Sequence, residues 1–241
     1  MKTSLRSFLI AALLSVTAVF AQAAEVASQA IVLKLSGSPQ VSIAGQPPVA
    51  LKLGDKLPEG AIITTDKSSS VELQVFTGTN ATIKPDTTAT LSKLTITSDG
   101  GAITKQTSLI DLAVGEVVST LDPSKKSIND YSIKTPRGVA AARGTVFSTY
   151  YSSNGSLIVV VTSGTVMVRS PSGALVAVPP GRAVTISKDG VVTPMSAAEG
   201  EQKLSAESNG SSPDNKPTQT SNTDSSTTID TTINVVSPSN P

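Results

Sequence analysis

Neither cysteine, histidine nor tryptophan occurs among the 241 residues of this sequence. The lack of cysteine excludes disulfide bonds as a source of stability and removes the thiolate that soft metal ions prefer. The lack of histidine removes the usual general base of serine and cysteine hydrolases, and the commonest protein ligand for metals. We therefore expect a protein that is not an enzyme and that has no catalytic, cofactor-binding or metal-binding site.

Aromatic residues are also few, at 3% of the chain. Beyond residue 23 the sequence retains only Phe76, Tyr131, Phe147, Tyr150 and Tyr151. Valine, isoleucine, leucine and alanine must therefore fill the interior, and such small or branched side chains favour short stacked strands. The lack of aromatic platforms also argues against an enzyme that acts on polysaccharides.

The N-terminus has the three parts of a secretory signal peptide. Lys2 and Arg6 precede an uncharged apolar run over residues 8–20, and Ala21-Gln22-Ala23 follows as a small-residue cleavage site. The run is too short for a membrane-spanning helix, which needs roughly 20 apolar residues. We predict a signal peptide over 1–23, cleavage after Ala23, and a mature protein in the periplasm or outside the cell.

The mature chain is close to electrically neutral. Removal of Lys2 and Arg6 from the 19 basic residues leaves 17, against 18 acidic ones. Nucleic-acid binding needs clustered positive charge to contact phosphates, so we expect no nucleic-acid partner. We also expect no stable membrane insertion once the signal is removed.

Short apolar stretches recur every 8 to 12 residues and are separated by glycine or proline turns, a pattern typical of an all-β domain. We predict a single domain of short strands in a β-roll or solenoid-like arrangement, or in a sandwich. Residues 157–161 form a continuous apolar strand, which predicts burial on both of its faces.

Changes of composition divide the chain further. Residues 24–50 read as N-terminal strands of the domain, 51–195 as its main body, and 196–206 as a short linker or weak helix. Residues 207–241 are rich in Ser, Thr, Asn and Pro and predict a disordered tail. One short strand within that tail is an open alternative, because the tail contains the apolar residues Ile229, Ile233, Val235 and Val236.

One run in the middle of the chain stands out: residues 133–147 read IKTPRGVAAARGTVF. Thr135-Pro136 ends a strand, because proline cannot donate a hydrogen bond to a neighbouring strand. Gly138 and Gly144 permit a close backbone approach or a positive φ. The three alanines at 140–142 are too small to fill space, so another element must pack closely over them.

This run resembles the hallmark of the FecR family domain, in which a strand ending in Thr-Pro leads through small residues to Arg-Gly-Thr-x-Phe. Flanking segments across residues 51–190 match the family in order and spacing. They are Leu53-Gly54-Asp55-Lys56-Leu57 with Gly60 and Ile63-Thr64-Thr65, Ser69 to Leu73, Ile83-Lys84-Pro85-Asp86-Thr87, Gly115-Glu116-Val117, Val161 to Val168, and Val178-Pro179-Pro180-Gly181.

The best-known members of this family relay an iron-uptake signal across the inner membrane. They join a cytoplasmic anti-sigma segment and a membrane helix to this domain. Because the export signal begins at the first residue here, we expect a stand-alone exported FecR domain rather than a membrane anti-sigma regulator. Ala142 also stands where family members often have valine.

The hallmark supplies the candidate interaction or structural residues: Thr135, Pro136, Arg137, Gly138, Arg143, Gly144 and Thr145. Arg143 is expected to bind carbonyls or a carboxylate within the domain. Arg137 follows a proline in what reads as an exposed turn, so it is the first candidate for contact with an anionic partner.

Three functions remain open. The first is a binding or interaction module for an unidentified envelope protein or polymer. The second is a structural envelope component that self-associates through edge strands. The third is a carboxylate-dependent, polysaccharide-active enzyme that uses Asp55 with Glu59, or Asp111 with Glu116. A Ser-Lys dyad at Lys67 and the serines after it is a further catalytic candidate, but a polar turn explains this run better.

Overall fold

The computed structural model describes residues 24–208. Within this range the chain folds into strands, one 3-10 turn at Pro123–Lys125 and one helix, α1, at Ala197–Ser208. The strands are β1 (Ala24–Ala27), β2 (Gln29–Ser36), β3 (Gln40–Ser42), β4 (Val49–Ala50), β5 (Lys56–Pro58), β6 (Ile62–Thr64), β7 (Ser70–Phe76), β8 (Thr79–Ile83), β9 (Thr88–Asp99), β10 (Ala102–Leu121), β11 (Asn129–Thr135), β12 (Gly138–Ala142), β13 (Val146–Tyr151), β14 (Leu157–Ser163), β15 (Val166–Arg169), β16 (Leu175–Val178), β17 (Arg182–Ile186) and β18 (Val192–Ser196).

The strands pair into two sheets. Sheet A has the order β4-β3-β6-β9-β10-β11-β12-β15-β16, and β1 pairs with the C-terminal half of β9. Sheet B has the order β5-β2-β7-β8-β10-β13-β14-β17-β18. Every pair is antiparallel except β10 with β11.

The long strand β10 belongs to both sheets. Its first part pairs with β9 and β11 in sheet A, and its last part, from Gly115, pairs with β8 and β13 in sheet B. Gly115 has a φ of 96°. A Cβ at this position would clash with the side chain and backbone of Thr87, so only glycine fits at the point where β10 changes sheet.

The inner faces of both sheets form one apolar core. Val, Ile, Leu and Ala dominate it, as the composition predicts, and Tyr131 of sheet A meets Phe147 of sheet B edge to face with ring centroids 6.2 Å apart. Successive strands or hairpins alternate between the two sheets, so the chain winds as in a roll while the sheets pack as in a sandwich. The all-β prediction is confirmed.

Sheet B is also covered on its outer face. Residues 157–161 of β14 are all buried, and this confirms the prediction of burial on both faces. Ile158 and Val160 face away from the main core and pack with Ala183 and with Leu204 of α1. Gly200 lets the helix approach closely, because a Cβ there would lie 2.5 Å from the Cβ of Ala183.

Helix α1 begins with a capping box. The Ser196 hydroxyl accepts a hydrogen bond from the Glu199 N–H at 3.2 Å, and the Glu199 carboxylate accepts one from the Ser196 N–H at 2.7 Å. The Ser196 hydroxyl also donates to the Glu199 carboxylate at 2.7 Å, and this hydrogen bond, together with the one from the Ser196 N–H, lowers the pKa of Glu199. The helix occupies the segment for which the sequence predicts a linker or weak helix, and continues to Ser208.

No helix within residues 24–208 is long and apolar enough to cross a membrane. The predicted signal peptide at 1–23 lies outside the described residues, as does the predicted tail from residue 209 onward.

Candidate functional site

The FecR-like hallmark forms the hairpin between β11 and β12. The Thr135 hydroxyl donates to the Gly138 carbonyl at 3.1 Å and accepts from the Arg137 N–H at 3.2 Å, so this side chain closes the turn. Pro136 is exposed at the tip. A Cβ on Gly138 would lie 2.5 Å from the Arg169 carbonyl oxygen of β15, which explains why this position has no side chain.

The second half of the hallmark packs against two loops. Gly144 has a φ of 67°, and a Cβ there would lie 2.7 Å from the Cα of Pro123. Thr145 is buried, and its methyl group leaves no space for a side chain on Gly164. These residues therefore hold the backbone of the domain together.

The two hallmark arginines differ in their surroundings. Arg143 is exposed, and its guanidinium lies 3.6 Å from Asp130, which also pairs with Lys105 at 3.0 Å. Arg137 is half-buried and donates from Nε to the Gly155 carbonyl at 3.2 Å. Arg137 is thus partly engaged within the domain and is less accessible than the turn sequence suggests.

The suggested carboxylate pairs are engaged separately. Asp55 accepts from the Lys52 N–H at 2.8 Å, and Glu59 accepts from the Leu94 N–H at 3.1 Å. Asp111 accepts from the Ser92 hydroxyl and pairs with Lys134 at 3.4 Å on the outer face of sheet A.

Glu116 lies beyond the point where β10 changes sheet, so it faces outward from sheet B. Asp111 and Glu116 are consequently on opposite faces of the molecule and do not form a pair.

The serines after Lys67 belong to a polar turn. The hydroxyls of Ser68 and Ser69 donate to the same Asp66 oxygen at 2.8 and 2.7 Å. These hydrogen bonds lower the pKa of Asp66. Both hydroxyl protons are thus bound to Asp66, as in the polar turn that the sequence favours.

A cleft of the described domain lies where β10 enters sheet B. It has a volume of about 720 Å³. Its lining comes from the turn after β8, from β10 and β13, and from the C-terminal end of α1: Lys67, Lys84, Pro85, Asp86, Val114, Gly115, Glu116, Tyr150, Ser153, Glu207 and Ser208. In the sequence, Glu116 and Lys67 are noted as members of candidate catalytic pairs. The sequence does not indicate that Lys84 lies near Tyr150, because three separate strands bring these residues together.

Two side chains of the cleft, the half-buried Glu116 and the buried Tyr150, have hydrogen-bonding capacity that the described residues do not use. Glu116 accepts from the Ser148 hydroxyl at 2.5 Å, and burial raises the pKa of its carboxyl. Tyr150 is 7% exposed, and burial together with the negative charge of Glu207, Glu116 and Asp86 raises the pKa of its hydroxyl.

The edges of the two sheets form a second candidate surface. Four of the five edge strands of the described domain carry features that discourage pairing with another chain. Strand β1 contains Glu25, β5 contains Lys56 and Pro58, β18 contains Pro194, and β4 has only two residues. Strand β16, with the sequence LVAV, has neither a charge nor a proline.

The backbone of β16 is available on its outer side. Within the described residues it pairs only with β15. The Ser170 N–H donates to the Ala174 carbonyl, and paired and unpaired positions alternate along a hairpin, so Leu175 and Ala177 point their N–H and C=O groups outward. Leu175 is 52% exposed and Met167, on the neighbouring strand, is 37% exposed.

Comparison with known proteins finds one family match within this domain. The profile of the family described as FecR protein matches residues 61–167, inside the region where the sequence shows the resemblance. No curated protein sequence matches the chain.

Two solved structures are similar in fold. Each is a crystal structure of a proposed anti-sigma factor from Parabacteroides distasonis, at 16% and 14% identity with TM-scores of 0.46 and 0.44. In both cases the match covers 56% of this chain and 59% of the other. This chain therefore spans little more than half the length of those proteins.

Proposed function

We propose that this chain, whose residues 61–167 match the profile of the FecR family, is a non-enzymatic binding module of the periplasm or cell envelope. Its partner is an extended segment of another envelope protein, which adds as a strand beside β16. The observation that supports this most directly is the uncharged, proline-free edge of β16, in contrast to the four protected edges.

The chemistry of this edge defines the partner. Outward N–H and C=O groups at Leu175 and Ala177 offer main-chain hydrogen bonds, which give affinity without requiring one sequence. The exposed side chains of Leu175 and Met167 favour apolar residues at alternate positions of the partner. Arg169 lies opposite Leu175 and is exposed, so an acidic residue nearby would add to the affinity.

Export and the absence of catalysis rest on the sequence. The signal-peptide pattern at 1–23 supports a periplasmic or extracellular location. The lack of histidine and cysteine, together with the separate engagement of the carboxylates at Asp55, Glu59 and Asp111, supports a binding role. Near-neutral charge speaks against a nucleic-acid partner.

Photo-crosslinking tests this proposal. A photo-reactive amino acid replaces Leu175 on β16 in cells that express the full chain, and the control replaces Thr193 on the proline-containing edge β18. We expect a discrete crosslinked protein from position 175 and none from position 193. Equal crosslinking from both positions, or none from position 175, would overturn the proposal.

Self-association is the second candidate function, and the same edge favours it. Two copies of β16 carry no charges that would repel one another, so they could pair antiparallel across a twofold axis. In that case the crosslinked product has twice the mass of the chain, and light scattering detects a dimer. A strict monomer at high concentration would eliminate self-association and leave the partner protein.

A further inference from the structure

The cleft where β10 enters sheet B is rigidly built. The Thr87 hydroxyl accepts from the Glu116 N–H at 2.9 Å and donates to the Pro85 carbonyl at 3.0 Å. The Lys84 N–H donates to the Glu116 carbonyl at 3.0 Å, which joins the turn after β8 to β10. Thr65 adds a third attachment through its hydroxyl, which donates to the Lys84 carbonyl at 2.6 Å.

The turn also contains backbone strain. Asp86 has a φ of 52°, in the left-handed region that residues other than glycine seldom adopt. Such strain persists only where surrounding contacts impose it, and it is frequent at binding sites. Here the contacts of Thr87 and Thr65 impose it, and they hold the Asp86 carboxylate at the cleft.

One row of side chains crosses the floor of the cleft. Lys84, Glu116 and Tyr150 occupy neighbouring positions on the β8 turn, β10 and β13, and they face outward from sheet B. Side chains at such positions lie within about 5 Å of one another at Cβ. The floor therefore presents an ammonium, a carboxyl and a phenol in sequence.

The polar groups on this floor have bonding capacity to spare. The side-chain hydrogen bond of the Glu116 carboxyl is the one from Ser148, and no cation of the described residues lies within 4.0 Å of it. The Tyr150 hydroxyl has no hydrogen bond to another described residue, although the side chain is 93% buried. The hydroxyl itself opens into the cleft and is not sealed from solvent, so it is free to bind a ligand.

Charge is divided across the cleft. Burial, and then the negative charges of Glu207, Glu116 and Asp86, raise the pKa of the Tyr150 hydroxyl, so these carboxylates lie near it. Lys67 and Lys84 also line the cleft, and both come from the side of the β7 and β8 turns. Acidic and basic groups thus face one small volume of about 720 Å³, a size typical of small-molecule sites.

We infer that this cleft binds a small zwitterionic ligand of the amino-acid or short-peptide class. The ligand ammonium lies between Glu116, Tyr150 and Glu207, and its carboxylate faces Lys67 and Lys84. The ammonium supplies the donors that the Glu116 carboxylate and the Tyr150 hydroxyl can accept, and the lysines neutralise the opposite end. This site is separate from the β16 edge and does not depend on strand addition.

Three probes distinguish the two halves of the ligand. Diglycine carries both charges, N-acetylglycine lacks the ammonium, and glycinamide lacks the carboxylate. We expect diglycine to produce saturable NMR shifts at the amides of Glu116 and Tyr150, with a Kd on the order of 1 mM for so small a ligand. Each of the other two probes should bind at least about tenfold more weakly.

Matched variants locate the effect. Glu116→Gln keeps the shape and the contact with Ser148 but removes the charge, and should weaken diglycine binding at least about tenfold. Glu72→Gln, on the same outer face of sheet B but outside the cleft, should leave binding unchanged. Shifts that do not saturate, that persist in Glu116→Gln, or that are equal for all three probes would overturn the inference.

Discussion

At the scale of the residue, several of the FecR-like motif positions are ones where a side chain does not fit or where one hydroxyl joins two strands. Gly115 and Thr87 illustrate both. The glycine has a positive φ and packs against the threonine. The threonine hydroxyl in turn accepts a hydrogen bond from the Glu116 N–H. Both residues belong to segments that resemble family motifs. The sequence does not show that the two residues are in contact, because 28 positions separate them.

Glu116 provides a prediction about pH. Burial raises the pKa of its carboxyl above the ordinary 4.5, so the folded protein binds this proton more tightly than the unfolded chain does. The stabilising contribution is therefore complete below pH 4.5 and is lost as pH rises through the folded pKa.

Glu116→Gln removes this titration. We expect the variant to gain free energy of unfolding relative to the native protein as pH rises from about 4 to 7, because the native carboxyl must then be charged while buried. Urea unfolding at several pH values measures the difference, and Asp55→Asn at the surface serves as the control. A difference that does not change with pH would contradict this account.

At the scale of the element, β14 shows what a pattern can and cannot predict. Five consecutive apolar residues at 157–161 correctly indicate burial on both faces, but they do not identify what covers the second face. The cover is α1, whose sequence AAEGEQKLSAES has a single large apolar side chain, Leu204. The clearest sequence signal for this helix is the capping box formed by Ser196 and Glu199.

The contact of α1 with sheet B depends on Gly200. Gly200→Leu should detach the helix, because even a Cβ at this position meets Ala183 and Val160 too closely. Amide exchange should then lose protection throughout α1 while β7 and β8, on the far half of sheet B, keep theirs. Ala198→Leu, at an exposed position of the same helix, is the control, and equal protection of α1 in both variants would refute this interpretation.

At the scale of the whole molecule, the sequence predicts the all-β fold class and the FecR match at residues 61–167, and misses the way in which the sheets are joined. Strand β10 carries the chain from one sheet to the other, and this crossing separates Asp111 from Glu116 although only four residues lie between them. The same crossing places Glu116 beside Lys84 and Tyr150. Spacing along the chain predicts neither result, because both depend on which strands become neighbours.

The exposed edges are also a property of the whole molecule. Which strands lie at an edge depends on the sheet order, so the sequence LVAV does not indicate by itself that β16 has a free side. Once the order is known, the contrast with β5 and β18 distinguishes β16 as the strand suited to pairing. We therefore treat this edge as the central feature of the proposed function.

The most direct test is the substitution Ala177→Pro, measured against the protein that crosslinks at position 175. The Ala177 N–H points away from β15, so proline removes an outward donor without removing a hydrogen bond of the sheet. Ala177→Ser keeps the donor and is the control. We predict that Ala177→Pro weakens partner binding at least about tenfold, with the thermal unfolding midpoint close to that of Ala177→Ser. Equal affinity of the proline and serine variants would contradict strand addition at β16.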